Sequence, residues 1–232
     1  MPADNASERL LCAANPAIRS GMKTRPELPP FPNLEHERRL SALHGGPIAG
    51  VDEAGRGPWA GPVVAAAVVF AGGRIPQGID DSKRLSAARR EALALEIAAA
   101  AHIGVGFASV GEINRLNIRE ATFKAMREAV AALPVVPAAV IIDGRDTPAV
   151  GCRCEALIGG DALCLSIAAA SIIAKVTRDR LMLELAAECP GYGWERNMGY
   201  GTQQHALALR RLGVSQHHRR SFAPVKAMLA EG

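Results

Sequence analysis

Uncharged apolar runs alternate with longer amphipathic stretches along most of the chain beyond residue 45. Short runs rich in Val, Ile and Ala are typical of buried strands, whereas apolar residues that recur every three or four positions indicate helices. The pattern predicts strands at residues 48–52, 62–70, 103–109, 138–143 and 154–158, and helices at residues 86–101, 118–129 and 166–188. This order predicts an α/β fold in which helices flank a mixed five-stranded sheet.

The connection between the first two predicted strands limits how they pair. Only nine residues, 53–61, separate them, and a crossover to a parallel neighbour needs about a dozen or more. We therefore expect these strands to be antiparallel neighbours. The strand at residues 138–143 is free of this limit. If it lies parallel to the first strand, the acids that end both strands meet at one edge of the sheet, where α/β folds bind ligands.

The first 45 residues lack this periodicity. They contain six prolines and predict a flexible Pro-rich tail, with at most a short helical turn at residues 34–40. Residues 46–232 are then expected to form a single folded domain that includes a helical C-terminal extension.

Acidic residues stand at the ends of two predicted strands. Asp52 and Glu53 end the first strand, Asp143 ends the fourth, and Asp161 follows 18 residues later in a Gly-Gly-Asp turn. Clustered carboxylates repel one another unless a cation neutralises them, and oxygen ligands suit Mg²⁺ or Mn²⁺. Two such ions can hold the attacking and leaving oxygens of a phosphodiester displacement. A strand-end acid that merely caps a turn is the alternative for each residue alone.

A Gly-Arg-Gly loop, residues 55–57, follows the first pair of acids. Glycines on both sides of an arginine let backbone amides approach a ligand closely, and Arg56 could clamp a phosphate. A simple tight turn is the alternative, but the neighbouring carboxylates favour a binding loop.

The positions of the charged residues along the chain predict a binding partner better than the net charge does. The total is only mildly basic, with 27 Lys and Arg against 23 Asp and Glu. Residues 196–230 nevertheless contain no acid and carry Arg196, Arg210, Arg211, Arg219, Arg220 and Lys226. We expect this basic segment to face a polyanion such as a nucleic acid.

The cysteines and the apolar runs indicate the cellular compartment in which the protein is expected. The five cysteines form no Cys-x-x-Cys pair, no apolar run is long enough to span a membrane, and residues 1–30 do not have the pattern of a secretory signal. These features predict reduced thiols, a cytoplasmic location and no membrane partner.

Several sequence motifs together resemble one known family. They are Gly50-Val51-Asp52-Glu53-Ala54-Gly55-Arg56-Gly57-Pro58, Ala60-Gly61-Pro62-Val63, residues 81–86, Ile142-Asp143-Gly144, Gly160-Asp161, residues 166–179, Gly199-Tyr200-Gly201-Thr202 and residues 217–222. In composition and order these motifs resemble type 2 ribonuclease H (ribonuclease HII) over about residues 47–229.

The resemblance implies a ribonuclease H-like fold for residues 46–232, which would be the catalytic domain. It implies an endonuclease that hydrolyses the RNA strand of RNA–DNA hybrids. The same enzyme would nick on the 5′ side of single ribonucleotides in duplex DNA, leaving 3′-hydroxyl and 5′-phosphate ends. No obligate protein partner is evident, and we expect a monomer.

The resemblance also assigns roles to residues. It implies that Asp52, Glu53, Asp143 and Asp161 are catalytic and hold two Mn²⁺ or Mg²⁺ ions. It implies that substrate is bound by Gly55, Arg56, Gly57, Lys83 and Tyr200. In this scheme the Gly-Arg-Gly backbone and Tyr200 sense the 2′-hydroxyl at an RNA–DNA junction, and Lys83 lies near the phosphates. The chain departs from the family at Gly159, where lysine is common.

Other polar residues have competing interpretations. Asp179 could replace Asp161, but its i, i+4 spacing from Lys175 predicts a structural ion pair. Asp80 and Asp81 could bind metal, although a turn that holds Lys83 is favoured. His217 and His218 could ligate a metal, but a solvated basic surface that contacts nucleic acid is expected instead.

Two rival functions remain open on the sequence alone. A different nuclease of the same fold, such as a junction resolvase, would share the acids but need no 2′-hydroxyl sensor. A non-catalytic nucleic-acid-binding domain would bind without divalent ions and cut nothing.

Overall fold

The computed structural model describes residues 31–230. The strands are β1 (Ile48–Ala54), β2 (Val63–Phe70), β3 (Ala101–Ala108), β4 (Ala139–Asp143) and β5 (Arg153–Leu157). The helices are α1 (Glu35–His44), α2 (Ala87–Ala100), α3 (Val110–Leu116), α4 (Ile118–Ala131), α5 (Leu165–Glu188), α6 (Trp194–Asn197), α7 (Gln203–Leu212) and α8 (Ala223–Ala230). A short 3₁₀ turn spans Gly160–Ala162.

The five strands form one mixed sheet in the order β3-β2-β1-β4-β5. Strand β1 pairs antiparallel with β2, which confirms the expectation drawn from the short connection. On its other side β1 pairs in parallel with β4, with Gly50 opposite Ile141. Strand β1 is therefore central, and its carboxyl end lies beside that of β4.

Helices cover both faces of the sheet. Side chains alternate along β2: Ala65 and Ala67 pack in the core beneath α4, whereas Ala66 and Val68 pack beneath α2 and α5. Burial on both faces explains why this strand carries no charge. At Gly50, a Cβ atom would overlap the backbone of Ser166, so glycine lets the start of α5 lie directly on β1.

Helix α1 corrects the predicted tail. The helical turn expected at residues 34–40 is present and extends to His44, but the prediction of flexibility is wrong for residues 35–44, because α1 packs on the domain through Leu40. The Glu37 carboxylate accepts hydrogen bonds from the Ser166 N–H at 2.8 Å and from the Cys164 thiol. It thereby caps α5, whose N-cap residue Cys164 makes no side-chain cap of its own. Residues 1–30 of the predicted tail lie outside the described residues.

Helix α3 was not predicted. Ser109, expected to end a strand, instead caps α3, and it exchanges hydrogen bonds with Glu112 in a capping box. With only seven residues and one buried side chain, Ile113, this helix has too little apolar periodicity to be recognised.

The C-terminal helices α6, α7 and α8 form the predicted helical extension. They build a separate small core around Trp194, Tyr192 and Leu209, which packs against Met182 in the second half of α5. None of the helices in residues 31–230 offers a stretch of the length and hydrophobicity needed to cross a bilayer.

Candidate active site

Three of the four predicted acids form one cluster. Asp52 lies on β1, Asp143 ends β4, and Asp161 lies in the 3₁₀ turn, and a carboxylate oxygen from each lies within 4.8 Å of the others. Asp52 and Asp161 are only 5% and 7% exposed. The parallel pairing of β1 with β4 brings the first two together, because it places both strand ends at one edge.

Glu53 lies beside this cluster rather than within it. Its Oε1 atom is 3.3 Å from Nη1 of Arg56, so the two form an ion pair at the mouth of the site. Its backbone N–H donates to Oδ1 of Asp52 at 2.7 Å. Burial is the largest cause that raises the pKa of Glu53, and the nearby charge of Asp143 raises it slightly further.

Backbone and lysine donors fix the other acids. The N–H of Gly160 donates to Oδ1 of Asp143 at 2.7 Å, which ties the 3₁₀ turn to the end of β4. Gly159 has a left-handed conformation with φ of 68°, which favours glycine over the lysine common in the family. Lys83 supplies the cation beside Asp161 instead, with its Nζ atom 3.2 Å from Oδ2.

The acids are electrostatically strained without a cation. Burial raises the pKa of Asp52 well above its usual range, and the charges of Glu53 and Asp143 raise it further. Burial also raises the pKa of Glu53, against the opposing effect of Arg56, and that of Asp143, against the Gly160 hydrogen bond. A divalent cation would relieve this repulsion, and a set of carboxylate oxygens fits Mg²⁺ or Mn²⁺.

A cleft of about 220 Å³ joins the acids to the Gly-Arg-Gly loop. Its lining includes Asp52, Glu53, Asp143, residues 55–57, Lys83, Lys175 and Tyr200. Tyr200 is 46% exposed, and a Cβ atom at Gly57 would lie 3.5 Å from its ring. The substrate-binding residues expected from the resemblance thus lie in the same cleft as the acids.

The turn expected around Lys83 is confirmed. Oδ1 of Asp81 accepts a hydrogen bond from the Lys83 N–H at 2.9 Å, and Asp80 pairs with Arg84. The ion pair predicted for Asp179 is also confirmed, with its Oδ1 2.6 Å from Nζ of Lys175. Asp179 therefore has a structural role. The sequence did not indicate that its partner, Lys175, also lines the cleft.

The expectation of a solvated basic surface is wrong for His218 and Arg219, since neither side chain is exposed. Arg219 donates instead to the carbonyl oxygens of Gly55, Arg56, Gly61 and Pro62 at 2.6 to 3.2 Å. The other basic residues of the segment are exposed, namely Arg196, Arg210, Arg211, Arg220 and Lys226.

His218 belongs to a buried network that sequence reasoning missed. Its Nδ1 atom accepts from the Ser215 N–H at 3.0 Å, which leaves the proton on Nε2, 3.1 Å from Nε2 of His205. That His205 nitrogen also accepts from Trp194, so His205 donates through Nδ1 to the Tyr200 carbonyl at 2.9 Å. Two neutral histidines thus support the backbone of Tyr200.

His217 lies in a different group, with Glu188 and Cys189. Potential ligand atoms of the three lie within 4.8 Å of one another. The distance of 3.0 Å between Nε2 of His217 and Oε1 of Glu188 is that of an ordinary hydrogen bond. Burial and the charge of Glu188 raise the pKa of the Cys189 thiol, which disfavours the thiolate that a metal requires.

Comparisons with known proteins agree with these observations. The family model described as ribonuclease HII matches residues 49–225, from β1 into α8. The chain is 57% identical over 212 residues to a ribonuclease HII of Nitrobacter hamburgensis, covering 90% of this chain and 79% of the relative. It is 60% identical over 196 residues to a ribonuclease HII of Rhodopseudomonas palustris strain TIE-1, covering 84% of this chain and 70% of the relative.

Two solved structures are similar in fold. Ribonuclease H2 of Pyrococcus horikoshii OT3 matches with a TM-score of 0.69 and 26% identity, over 80% of this chain and 98% of that one. The ribonuclease HII of Archaeoglobus fulgidus, solved in a complex with PCNA, matches with a TM-score of 0.67 and 28% identity, over 78% and 96%.

Proposed function

The chain belongs to the ribonuclease HII family, and we propose that its cleft nicks duplex DNA on the 5′ side of a single embedded ribonucleotide. Membership of the family makes the chain a metal-dependent ribonuclease H, an endonuclease whose substrates are RNA–DNA hybrids. The observation that carries the finer proposal is the cleft that Asp52, Glu53 and Asp143 line together with residues 55–57 and Tyr200.

The acids Asp52, Glu53, Asp143 and Asp161 are proposed to hold two Mn²⁺ or Mg²⁺ ions. Such ions supply activation of the attacking water and stabilisation of the leaving 3′ oxygen, which gives 3′-hydroxyl and 5′-phosphate ends. The chain's own contribution is to fix the ligands before binding. The hydrogen bonds to Asp52 and Asp143 hold these carboxylates in place, and Lys83 beside Asp161 adds a positive charge for the scissile phosphate.

Recognition of the ribonucleotide is proposed to use the other side of the cleft. The 2′-hydroxyl is the group that distinguishes RNA from DNA. Its oxygen can accept hydrogen bonds from the backbone N–H groups of Gly55, Arg56 and Gly57. Tyr200, whose ring lies against Gly57, would stack on the sugar of the following nucleotide. The exposed Arg56 guanidinium would hold a neighbouring phosphate.

The remaining duplex is proposed to lie along the exposed basic residues of the C-terminal segment. Such phosphate contacts add affinity without sequence preference and weaken as salt rises.

The decisive experiment maps the products from a DNA duplex with one ribonucleotide, beside an all-DNA duplex of the same sequence and a continuous RNA–DNA hybrid. We expect one metal-dependent nick 5′ of the ribonucleotide, cleavage of the RNA strand of the hybrid, and none in the all-DNA duplex. Equal cutting of the all-DNA duplex would favour a resolvase-like nuclease. Binding without scission at any metal concentration would favour a non-catalytic domain.

A further inference from the structure

Arg219 lies behind the Gly-Arg-Gly loop, on the side away from the cleft. We infer that Arg219 is a positioning residue that turns the peptide N–H groups of Arg56 and Gly57 into the cleft as donors for the ribonucleotide. The inference rests on the proposed function, because it concerns how the 2′-hydroxyl is recognised.

The first support is the environment of the Arg219 side chain. It is fully buried, yet it takes part in none of the ion pairs formed by residues 31–230. All three of its nitrogens donate to backbone carbonyls, with Nη2 2.6 Å from the Gly55 oxygen and Nη1 2.9 Å from the Arg56 oxygen. Burial and the nearby Arg178 lower the pKa of Arg219 to about 9. The Arg219 guanidinium has thus lost its hydration, and hydrogen bonds to backbone carbonyls replace the bonds to water.

The second support is the geometry of the peptide bond. A trans peptide unit is planar, and its N–H points opposite to its C=O. The Gly55 carbonyl shares a unit with the Arg56 N–H, the Arg56 carbonyl shares one with the Gly57 N–H, and neither bond is cis. Because Arg219 binds both carbonyls, both N–H groups point away from it. Neither N–H donates to any protein acceptor among the described residues. Successive free amides of this kind form a concave site for an electron-rich oxygen.

The third support is a second buried arginine, which joins the chain after the loop to the chain just before Tyr200. Arg178 donates to the carbonyls of Ala60, Pro62 and Met198 at 3.0 to 3.2 Å. It passes so close to Gly55 that a Cβ atom there would overlap it, and Gly55 has φ of 99°. Pro62 accepts from both arginines. The chain that follows the loop is thereby tied to the chain that precedes Tyr200.

The test replaces Arg219 with Lys and with Met, and uses Arg180→Met as the matched control. Arg180 is exposed on α5 and, within residues 31–230, pairs only with Glu91, so we expect its loss to leave cleavage unchanged. Each protein is assayed on two DNA duplexes that differ at one sugar, which carries either a 2′-hydroxyl or a 2′-fluorine. Fluorine is a weaker hydrogen-bond acceptor than a hydroxyl oxygen. The kcat/KM on the hydroxyl duplex divided by that on the fluorine duplex therefore measures how much the N–H donors contribute.

We expect both Arg219 variants to lose about 100-fold in kcat/KM on the ribonucleotide duplex, mostly in kcat, as for a misplaced reacting group. The hydroxyl-to-fluorine ratio should fall towards one. Lysine should not rescue, because a single ammonium group cannot bind four carbonyls in the plane of a guanidinium. Mn²⁺ binding, measured by calorimetry, should stay at the wild-type affinity.

An Arg219 variant that is folded, binds Mn²⁺ and keeps the wild-type ratio would overturn the inference. Wild-type protein that fails to cut the ribonucleotide duplex would overturn the proposed function instead. If neither variant folds, the Gly57 N–H is replaced by an ester oxygen in the otherwise unchanged chain. A hydroxyl-to-fluorine ratio that falls towards one then supports the inference, and an unchanged ratio overturns it.

Discussion

Two groups of buried charges lie next to one loop, residues 55–57, and they are stabilised in different ways. In the first group, Asp52, Asp143 and Asp161 crowd together with Lys83 as the nearby cation. In the second group, Arg219 and Arg178, which also lines the cleft, donate seven hydrogen bonds to backbone carbonyls. The arginine side is complete within the protein, whereas the acid side needs a cation from solution. Unrelieved repulsion marks the acids as the binding site, and a full set of hydrogen bonds marks the arginines as its support.

The largest effect is expected on the acid side, from Asp52→Asn. Loss of this carboxylate should reduce cleavage at least about 1000-fold, since metal stabilisation of the reacting oxygens is worth several kcal/mol. The same change removes a repelled buried charge, so the metal-free protein should melt at a higher temperature. Cleavage assays and calorimetric melting test both outcomes.

Asp179→Asn is the matched control, because Asp179 pairs with Lys175 outside the acid cluster. Full activity of Asp52→Asn at saturating Mg²⁺ would contradict the assigned role.

The next effect is expected on the arginine side, from Arg178→Met. The carbonyls of Ala60 and Met198 lose their donor, while that of Pro62 keeps Arg219, and buried unpaired acceptors cost about 1 to 3 kcal/mol each. The free energy of unfolding should fall by about 4 kcal/mol in urea titrations. The affinity for Mn²⁺ should not change. A stable variant with weakened Mn²⁺ binding would show that the two sides are not separate.

The buried His218, next to Arg219 in the chain, is expected to make the stability of the protein depend on pH. Burial, with smaller effects of His205 and His217, lowers its pKa to about 4, and burial lowers the pKa of His205 as well. In the unfolded chain histidine titrates near pH 6.5. The unfolded state therefore binds more protons between these values, and stability falls as the pH drops from about 6.5 to about 4.

The loss from His218 should reach about 3 kcal/mol, since one pKa unit corresponds to about 1.4 kcal/mol. Urea unfolding of wild type and His218→Gln across this range measures it. Equal slopes for the two proteins would contradict a neutral buried His218.

The smallest effect is expected from Arg220→Ala, which sharpens the contrast between neighbouring arginines. Arg220 is exposed, so its loss should weaken binding to every duplex alike and reduce the salt slope of log K by about 1. Its 2′-hydroxyl preference should stay at the wild-type value. Fluorescence anisotropy at several salt concentrations gives the slope, and a changed sugar preference would place Arg220 at the junction instead.

The sequence predicted the elements that depend on local pattern. Apolar runs identified all five strands, and the nine-residue connection between the first two correctly implied antiparallel pairing. The meeting of Asp52 with Asp143 followed from their positions at strand ends, once β1 and β4 are parallel. Asp161 depended more on the family resemblance, because a Gly-Gly-Asp turn has no preferred direction by itself.

The errors arose where tertiary contacts decide the outcome. A polar sequence such as α1 becomes part of the domain only because Glu37 and Leu40 find partners on α5 and β1. Arg219 was assigned to the surface since formal charge says nothing about burial, and its partners are carbonyls more than 150 residues earlier in the chain. The neutral state of His218 likewise depends on His205 and Ser215, which no spacing rule connects.

The cap that Glu37 places on α5 has a consequence for how the protein is made. Glu37 and its partner Ser166 are 129 residues apart, so at ribosomal rates of about 5 to 20 residues per second the first waits roughly ten seconds for the second. Throughout that interval α1 has no docking surface on α5, and β1 has no β4 beside it until residues 139–143 have been made. The nascent chain therefore exposes its central strand until more than half of the polypeptide has emerged, and assembly of the nuclease body is a late event in translation.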